Sequence, residues 1–214
     1  MGLNQKVASY MGDNLNLDND NREVLAYSLE LLFHTSATVL LVLLVSWFIG
    51  PIKEAVILLI VMFLIKSFAG GVHCSSASRC KILSILLIPS FAQLAHVAGQ
   101  YFSLNVLIII TVLSALFSFA IAYKYAPVNL PIDTVEYRAV RRKLTFLLII
   151  LTILVQVVLI AFVPAKTASC IVAIDISIFC QAFMLTKQGN TLINFFDGLL
   201  RFFIKKGGDN SETH

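Results

Sequence analysis

Apolar residues occur along the chain in six long runs that short polar intervals separate. Most of the runs approach the roughly 20 residues that an α-helix needs to cross about 30 Å of hydrocarbon. The pattern therefore predicts an all-α, polytopic membrane protein whose six transmembrane helices form one bundle. The runs cover residues 29–49, 55–69, 82–98, 104–123, 144–163 and 168–185.

Composition supports a single membrane domain. Hydrophobic residues make up 58% of the 214 residues and charged residues 13%, whereas soluble domains average about 45–50% and about 25%. No polar stretch is long enough to build a separate soluble domain with its own core. We predict one domain over residues 1–205 and a polar tail over 206–214.

The segment 1–28 precedes the first apolar run and contains the polar stretch "DNLNLDNDNRE". Because this polar stretch lies in front of the apolar run, the N-terminus does not have the pattern of a cleavable secretory signal. Leu3, Val7, Tyr10 and Met11 recur at helical spacing, which predicts a short helix over 2–12. That helix fits either the membrane interface or a solvated position on the bundle.

Positive charge is distributed unevenly between the polar intervals. Fourteen of the 16 Lys and Arg residues fall in 1–28, 66–81, 124–143 or after residue 186, and only Lys53 and Lys166 fall elsewhere. Since cytoplasmic loops carry the positive excess, both termini are predicted to be cytoplasmic. The net charge of +4 then reflects topology and attraction to anionic membrane lipid, and nothing indicates a nucleic-acid partner.

The stretch "KSFAGGVHCSSASRC" at 66–80 contains the candidate chemistry. A cysteine protease needs a thiolate and a histidine that polarises the thiol and protonates the leaving amine. Cys74 is adjacent to His73, and neighbouring side chains point apart. Cys80 begins the third predicted helix, so we predict Cys80 as the nucleophile and His73 as its partner.

Two further features favour Cys80. It lies between Arg79 and Lys81 at a helix N-terminus, and both cations and the helix dipole stabilise a thiolate. The predicted topology also exposes this loop to a reducing compartment, where a structural disulfide does not persist. Cys170 and Cys180, in the sixth apolar run, are predicted to be small buried hydrophobic residues.

The residues alone leave a second class of function open. His73, Cys74 and Cys80 are also ligand types for zinc or copper, as in a small transporter or a metal-binding membrane protein. Three ligands in one loop could form such a site, although no fourth ligand is evident nearby.

The segment "AGGVHCSSASRC" at 69–80 resembles the signature of the accessory gene regulator protein B (AgrB) family. These membrane peptidases of Gram-positive quorum sensing have a Gly-Gly-x-His followed by a Cys seven residues after the His. A second segment, "YKYAPVNLPIDTVEYRAVRRKLTF" at 123–146, is similar to the fourth loop of the family. Six helices and the chain length agree as well.

The resemblance implies a specific reaction in the cell membrane of a Gram-positive bacterium. Such enzymes bind a short propeptide with an amphipathic leader and an acidic tail, remove the tail, and cyclise the new carboxyl end as a thiolactone or lactone. His73 and Cys80 would be the catalytic pair, Gly71 would belong to the turn, and no cofactor or metal is needed. The family usually has Arg where this chain has Lys66, which loses the bidentate fork. A homodimer is a further expectation.

Three groups of residues outside the motif are supporting candidates. Glu30 and His34 share one face of the first helix, where they could orient His73 or contact substrate, or form a local helix pair. Asp175 lies near mid-membrane, where an ionisable group is a functional candidate. The basic cluster fits either a dock for an acidic propeptide tail or positive-inside anchoring; its members are Arg138, Arg141, Arg142 and Lys143.

Overall fold

Helices make up nearly all of the structure. The structure, a computed structural model, describes residues 7, 9–11, 14, 18–72, 74–128, 134–162 and 164–208. Within these ranges there is no β-strand, and the elements are α1 (Asn19–Ile49), α2 (Ile52–Ala69), α3 (Ala77–Tyr101), α4 (Leu104–Tyr125), α5 (Val135–Phe162), α6 (Pro164–Phe183) and α7 (Lys187–Gly208). The all-α prediction is confirmed.

Each of the six apolar runs lies within or largely overlaps a helix, and most of the helices begin before their run. α1 begins ten residues before the run at 29–49, where Asp18 accepts a hydrogen bond from the Asn21 N–H. Polar residues can continue a helix because its hydrogen bonds lie in the backbone. In the N-terminal segment, residues 7, 9–11 and 14 are helical, and the rest of the predicted 2–12 helix lies outside the described residues.

Several helices are suited to crossing a membrane. Within the described ranges, four are long and apolar enough, namely α1 from Asn21, α3, α4 and α5. α6 and α7 together would make a fifth span, bent by 93° at the residues between them. α2 has 18 residues and carries Lys53, Glu54 and Lys66, so its apolar part is short. The chain is a multi-pass membrane protein, and the count of six spans stays a prediction.

α6 is the central helix of the bundle. It packs against α2, α3, α4 and α5, and residues 171–175 in its middle are all buried, as expected for a helix segment enclosed by others. One apolar cluster joins the start of α6 to Ala55, Leu58, Ala92 and Leu107. A second joins its end to Ile65, Ala69, Ala122 and Ile149, directly beneath the loop that carries the candidate chemistry.

The chain divides into two compact units, residues 1–41 and 42–214, so the division falls within α1. The first unit contains the larger part of α1, including Glu30 and His34. The second contains the end of α1 and all of α2 to α7. The prediction of one domain over 1–205 stays a prediction.

α7 is a helix that the apolar pattern did not predict. It follows the 93° turn after α6 and packs against α3. Ile193 and Asp197 are buried, whereas Phe195, Phe202 and Phe203 are at least 60% exposed, so an apolar face remains uncovered by protein. α7 extends to Gly208, into the predicted polar tail, and residues 209–214 lie outside the described residues.

Candidate active site

The loop 70–76 joins α2 to α3, and the surrounding helices hold it at several points. Gly70 ends α2 with φ +78°. The Val128 N–H donates to the Ala69 carbonyl at 2.9 Å, and Gly70 pairs with Val128 as a one-residue parallel bridge. The Gln181 side chain of α6 donates to the Gly70 carbonyl at 2.8 Å. The Gly-Gly segment is thus tied to both the α4–α5 connection and α6.

Glycine is required more stringently at 70 than at 71. A Cβ at Gly70 would lie 1.9 Å from the Val128 carbonyl oxygen, whereas one at Gly71 would meet Gln181 Nε2 at 3.5 Å and Lys66 Cε at 3.9 Å. Gly71, the candidate from the sequence, has φ +145° but ordinary space around it. The close contact with the Val128 backbone therefore occurs at Gly70 and not at Gly71.

Cys74, Cys80 and Lys66 lie together at this loop. The two half-buried thiols are within hydrogen-bonding range of each other. Lys66 lies near enough to both for electrostatic interaction, and its Nζ donates a long hydrogen bond to the Val72 carbonyl at 3.4 Å. Cys80 is in the first turn of α3, as predicted. His73 lies outside the described residues, so its pairing with Cys80 stays a prediction.

The Cys74 thiol is poorly suited to be the nucleophile. Burial, followed by the influence of Cys80 and Asp197 and the hydrogen bond with Cys80, raises the pKa of Cys74 to about 11. Since a thiol reacts as its thiolate, Cys74 remains protonated and unreactive near neutral pH. The surroundings of Cys74 thus argue against Cys74 as the nucleophile, independently of its spacing in the sequence.

An ion pair holds the start of α3 against α7. Arg79 Nε donates to Asp197 Oδ1 at 2.7 Å, and the Ser75 hydroxyl donates to Asp197 Oδ2 at 2.5 Å. The Arg79 and Asp197 side chains are 18% and 12% exposed. The guanidinium that the sequence suggested as a stabiliser of the Cys80 thiolate is therefore directed at a carboxylate.

The residues of the basic cluster have different surroundings. Arg141 donates to the Phe68 carbonyl at 3.1 Å and to the Ser67 carbonyl, so it caps the C-terminus of α2. Arg142 donates to the Tyr123 carbonyl at 2.6 Å and lies over the Tyr123 ring. Arg138 is exposed near the start of α5. Arg141 and Arg142 thus each bind a backbone carbonyl of another helix.

The remaining candidates come from other helices. Glu30 is exposed on α1, in the unit that ends at residue 41. The Asp175 carboxylate accepts hydrogen bonds from Ser114 at 2.6 Å, Gln156 at 2.8 Å and Thr111 at 3.0 Å. Asp175 therefore links α4, α5 and α6, which is a packing role.

An apolar cavity of about 850 Å³ lies between α3, α4, α6 and α7. Asp175, Cys180 and Met184 contribute to its wall, and most of the remaining lining is aromatic or aliphatic. Met184 is also one of the residues nearest to a Cβ placed on Gly71. The cavity therefore extends from mid-bundle toward the loop 70–76.

Metal ligation is not indicated by the described side chains. Among them, no three His, Cys, Asp or Glu residues form a group that could hold a metal ion. The ligand set suggested from the sequence included His73, which lies outside that part of the chain, so the alternative of a metal site stays a prediction.

Comparison with known sequences identifies the family. The sequence profile of Accessory gene regulator B matches residues 4–185. The chain belongs to the AgrB family. Two proteins of Clostridium perfringens described as AgrB-like are similar along nearly their whole length. One, from strain SM101, is 22% identical over 205 residues, and one from strain 13 is 25% identical over 205 residues; in each case 91% of this chain and 95% of the relative are covered.

A third AgrB-like protein, also from strain 13, is 30% identical over 124 residues, which is 58% of this chain and 63% of that relative. No solved structure matches the chain significantly. The AgrB profile contains the whole loop 66–80 and ends at residue 185, before α7.

Two residues at the site were not predicted from the sequence. Gln181, within the sixth apolar run, was not a site candidate, yet its side chain donates to the Gly70 carbonyl. Asp197 belongs to a segment with no predicted element. A lone acid within the apolar stretch "LINFFDGLLRFF" at 192–203 was the available signal, because a charge on a buried helix face requires a partner.

Proposed function

We propose that this protein is an integral-membrane cysteine endopeptidase that removes the C-terminal tail of a quorum-sensing propeptide and cyclises the remainder. The ring would be a thiolactone or lactone, formed through an acyl-enzyme thioester. The observation that carries the proposal is that the AgrB-like motif lies on a loop tied down at Gly70, with Cys80 in the first turn of α3 and Lys66 beside it. Membership of the AgrB family supports a role in agr propeptide processing.

The reaction follows from the chemistry of a thiolate and an imidazole. The Cys80 thiolate attacks the scissile carbonyl, the C–N bond breaks, and His73 gives its proton to the departing amine of the tail. A thiol or hydroxyl of the propeptide then attacks the thioester. That step releases the Cys80 thiolate and returns a proton to His73. Exchange of one thioester for another is nearly isoenergetic, so cyclisation requires that water be kept from the acyl-enzyme.

Lys66 and Cys74 have supporting roles in this proposal. The Lys66 ammonium favours the anionic form of a neighbouring thiol, and it takes over the contribution expected from Arg79, whose charge is paired with Asp197. Cys74, with its raised pKa, remains a thiol that can donate a hydrogen bond to Cys80. Both roles place the reactive charge on Cys80.

The substrate and the setting complete the proposal. The propeptide has an amphipathic leader and an acidic tail, and we assign the basic cluster of Arg138, Arg141, Arg142 and Lys143 to the tail. The protein has six spans and cytoplasmic termini in the cell membrane of a Gram-positive bacterium, as a homodimer. Its loop 66–81 faces the cytoplasm, where the propeptide is made.

Co-expression with a candidate propeptide tests the activity. Cys80→Ser should abolish release of the tail, whereas Cys74→Ser, its matched control six residues away, should retain most of it. Mass measurement of the peptide products distinguishes linear, cyclic and uncut forms. Equal loss in both variants would contradict the assignment of the nucleophile and would favour a metal site that uses both cysteines.

A further inference from the structure

The N-terminus of α3 lies beside an acidic side chain from another helix. Ser76 occupies the N-cap position but makes no side-chain capping hydrogen bond. The Asp197 carboxylate of α7 accepts from the Ser75 hydroxyl at 2.5 Å and from the Ser75 N–H at 3.4 Å. Free N–H groups and the helix dipole both favour an anion at this end.

The same carboxylate also binds the first turn of α3. Arg79 approaches it with Nε at 2.7 Å and Nη2 at 3.4 Å, and Arg79 Nη2 bonds the Ser75 hydroxyl at 2.5 Å. Residues 75 and 79 lie on either side of the turn that leads to Cys80. One side chain of α7 therefore fixes both ends of the segment that connects the two cysteines.

The pair is largely shielded from solvent, since both side chains are less than one fifth exposed. Charge-assisted hydrogen bonds are roughly twice as strong as neutral ones, and the loss of one partner of a shielded pair leaves the other charge uncompensated. Both partners are therefore needed to hold the start of α3 against α7.

We infer that Asp197 is a positioning residue of the active site, which holds the first turn of α3 so that Cys80 lies beside Lys66 and the loop 70–72. Its catalytic consequence rests on the proposed peptidase activity. Among the described residues, Asp197 makes hydrogen bonds to Ser75 and Arg79 and to neither thiol. It therefore positions Cys80 through Ser75 and Arg79. A displacement of about 1 Å at a reacting atom can reduce a rate by about 100-fold.

A cross-linking experiment tests the contact without any activity. In a chain whose four native cysteines are serine, Ser75→Cys together with Asp197→Cys should form a disulfide under mild oxidation. Ser75→Cys with Phe195→Cys is the control, because residue 195 lies about 200° around the helix from 197. Cross-linking of the control pair alone, or of neither pair, would overturn the inference.

Turnover of the propeptide tests the consequence. Asp197→Ala should lower kcat by roughly 10- to 100-fold with little change in KM, and the exchanged pair Arg79→Asp with Asp197→Arg should recover at least about tenfold over either single change. Asn194→Ala, an exposed change on the same helix, is the control and should leave kcat unchanged.

The outcomes separate the two proposals. If the wild-type chain cleaves no propeptide but the 75–197 pair cross-links, the proposed function fails and the contact stands. If the wild-type chain is active and Asp197→Ala has wild-type kcat, the positioning role is wrong and the function stands. A loss of activity through misfolding alone would reduce the amount of folded protein in every Asp197 variant and give no recovery in the exchanged pair, which would also overturn the positioning role.

Discussion

At the scale of the residue, the chemical environment distinguishes two cysteines that the sequence places six positions apart. Cys74 is surrounded by apolar groups, Cys80 and an acid, and its raised pKa follows from burial first and from these neighbours second. Cys80 stands at a helix start beside Lys66. Reactivity in this loop therefore depends on neighbours contributed by α2 and α7 as much as on the motif.

Alkylation of Cys74 should be slow at neutral pH. A raised pKa means that the thiolate is lost as pH falls below about 11, so iodoacetamide labelling at pH 7 should be slow and should rise steeply above pH 9. The measurement is the labelling rate against pH in a chain with Cys74 as the only cysteine. Burial is the largest cause and survives the loss of Cys80, so a midpoint at or below about 8.5, the value of a free thiol, would contradict this prediction.

Arg138 and Arg141 should respond differently to the same change. Arg141→Gln removes the cap on the Phe68 and Ser67 carbonyls and should lower the free energy of unfolding by about 0.5–1.5 kcal/mol, the net contribution of a typical hydrogen bond. Arg138→Gln should raise KM for an acidic-tailed propeptide, because it removes a positive charge from the cluster. Thermal unfolding in detergent and steady-state cleavage separate the effects, and a KM change in Arg141→Gln alone would reverse the assignment.

At the scale of the element, the connection after α2 depends on a backbone contact that only glycine permits. Gly70 combines a positive φ with the Val128 carbonyl, so the α2 terminus and the α4–α5 connection are held together there. The second apolar cluster supports both from below. The loop is rigid because three helices meet it.

Gly70→Ala should therefore be much more harmful than Gly50→Ala. Both glycines have positive φ, which costs an alanine about 1–3 kcal/mol, but a Cβ at Gly50 meets nothing within 4 Å and one at Gly70 lies 1.9 Å from Val128 O. Gly70→Ala should lose at least about tenfold in cleavage rate and melt at a lower temperature. Equal melting temperatures for the two variants would show that the 70–128 contact contributes nothing beyond backbone strain.

At the scale of the whole molecule, the helices arrange charge and burial around α6. The loop with the two thiols adjoins one end of α6, and the polar network of Asp175 lies in its middle. At the other end of the bundle, Glu54 lies 3.2 Å from His96.

The topology predicts which loops an impermeant thiol reagent reaches in intact cells. In a cysteine-free chain, a cysteine at Ser76 should stay unlabelled because loop 66–81 is predicted to be cytoplasmic, whereas one at Ser103, between α3 and α4, should be labelled. After the membrane has been permeabilised, the reagent should also label the Ser76→Cys variant. Labelling of Ser76→Cys in intact cells would overturn the orientation.

The helices α1 to α6 were predictable because hydrocarbon demands continuous apolar runs, and the segment 66–80 was predictable because its residues are contiguous. α7 was not, since Gly189, Gly198 and its charged residues interrupt the apolar pattern. The partners of Arg79 and Arg141 also could not be predicted from spacing. Ser75 and Asp197 are 122 positions apart, and only the packing of α7 on α3 brings them together.

The 122 positions between Ser75 and Asp197 also have a consequence for biosynthesis. During synthesis, α2, α3, Cys74 and Cys80 enter the membrane long before the ribosome reaches the codon for Asp197, which orders them. The nascent chain therefore lacks this acid until α7 has been synthesised. Propeptide cleavage would begin only in chains that include α7. A chain truncated after Lys187 should insert into the membrane normally but cleave no propeptide.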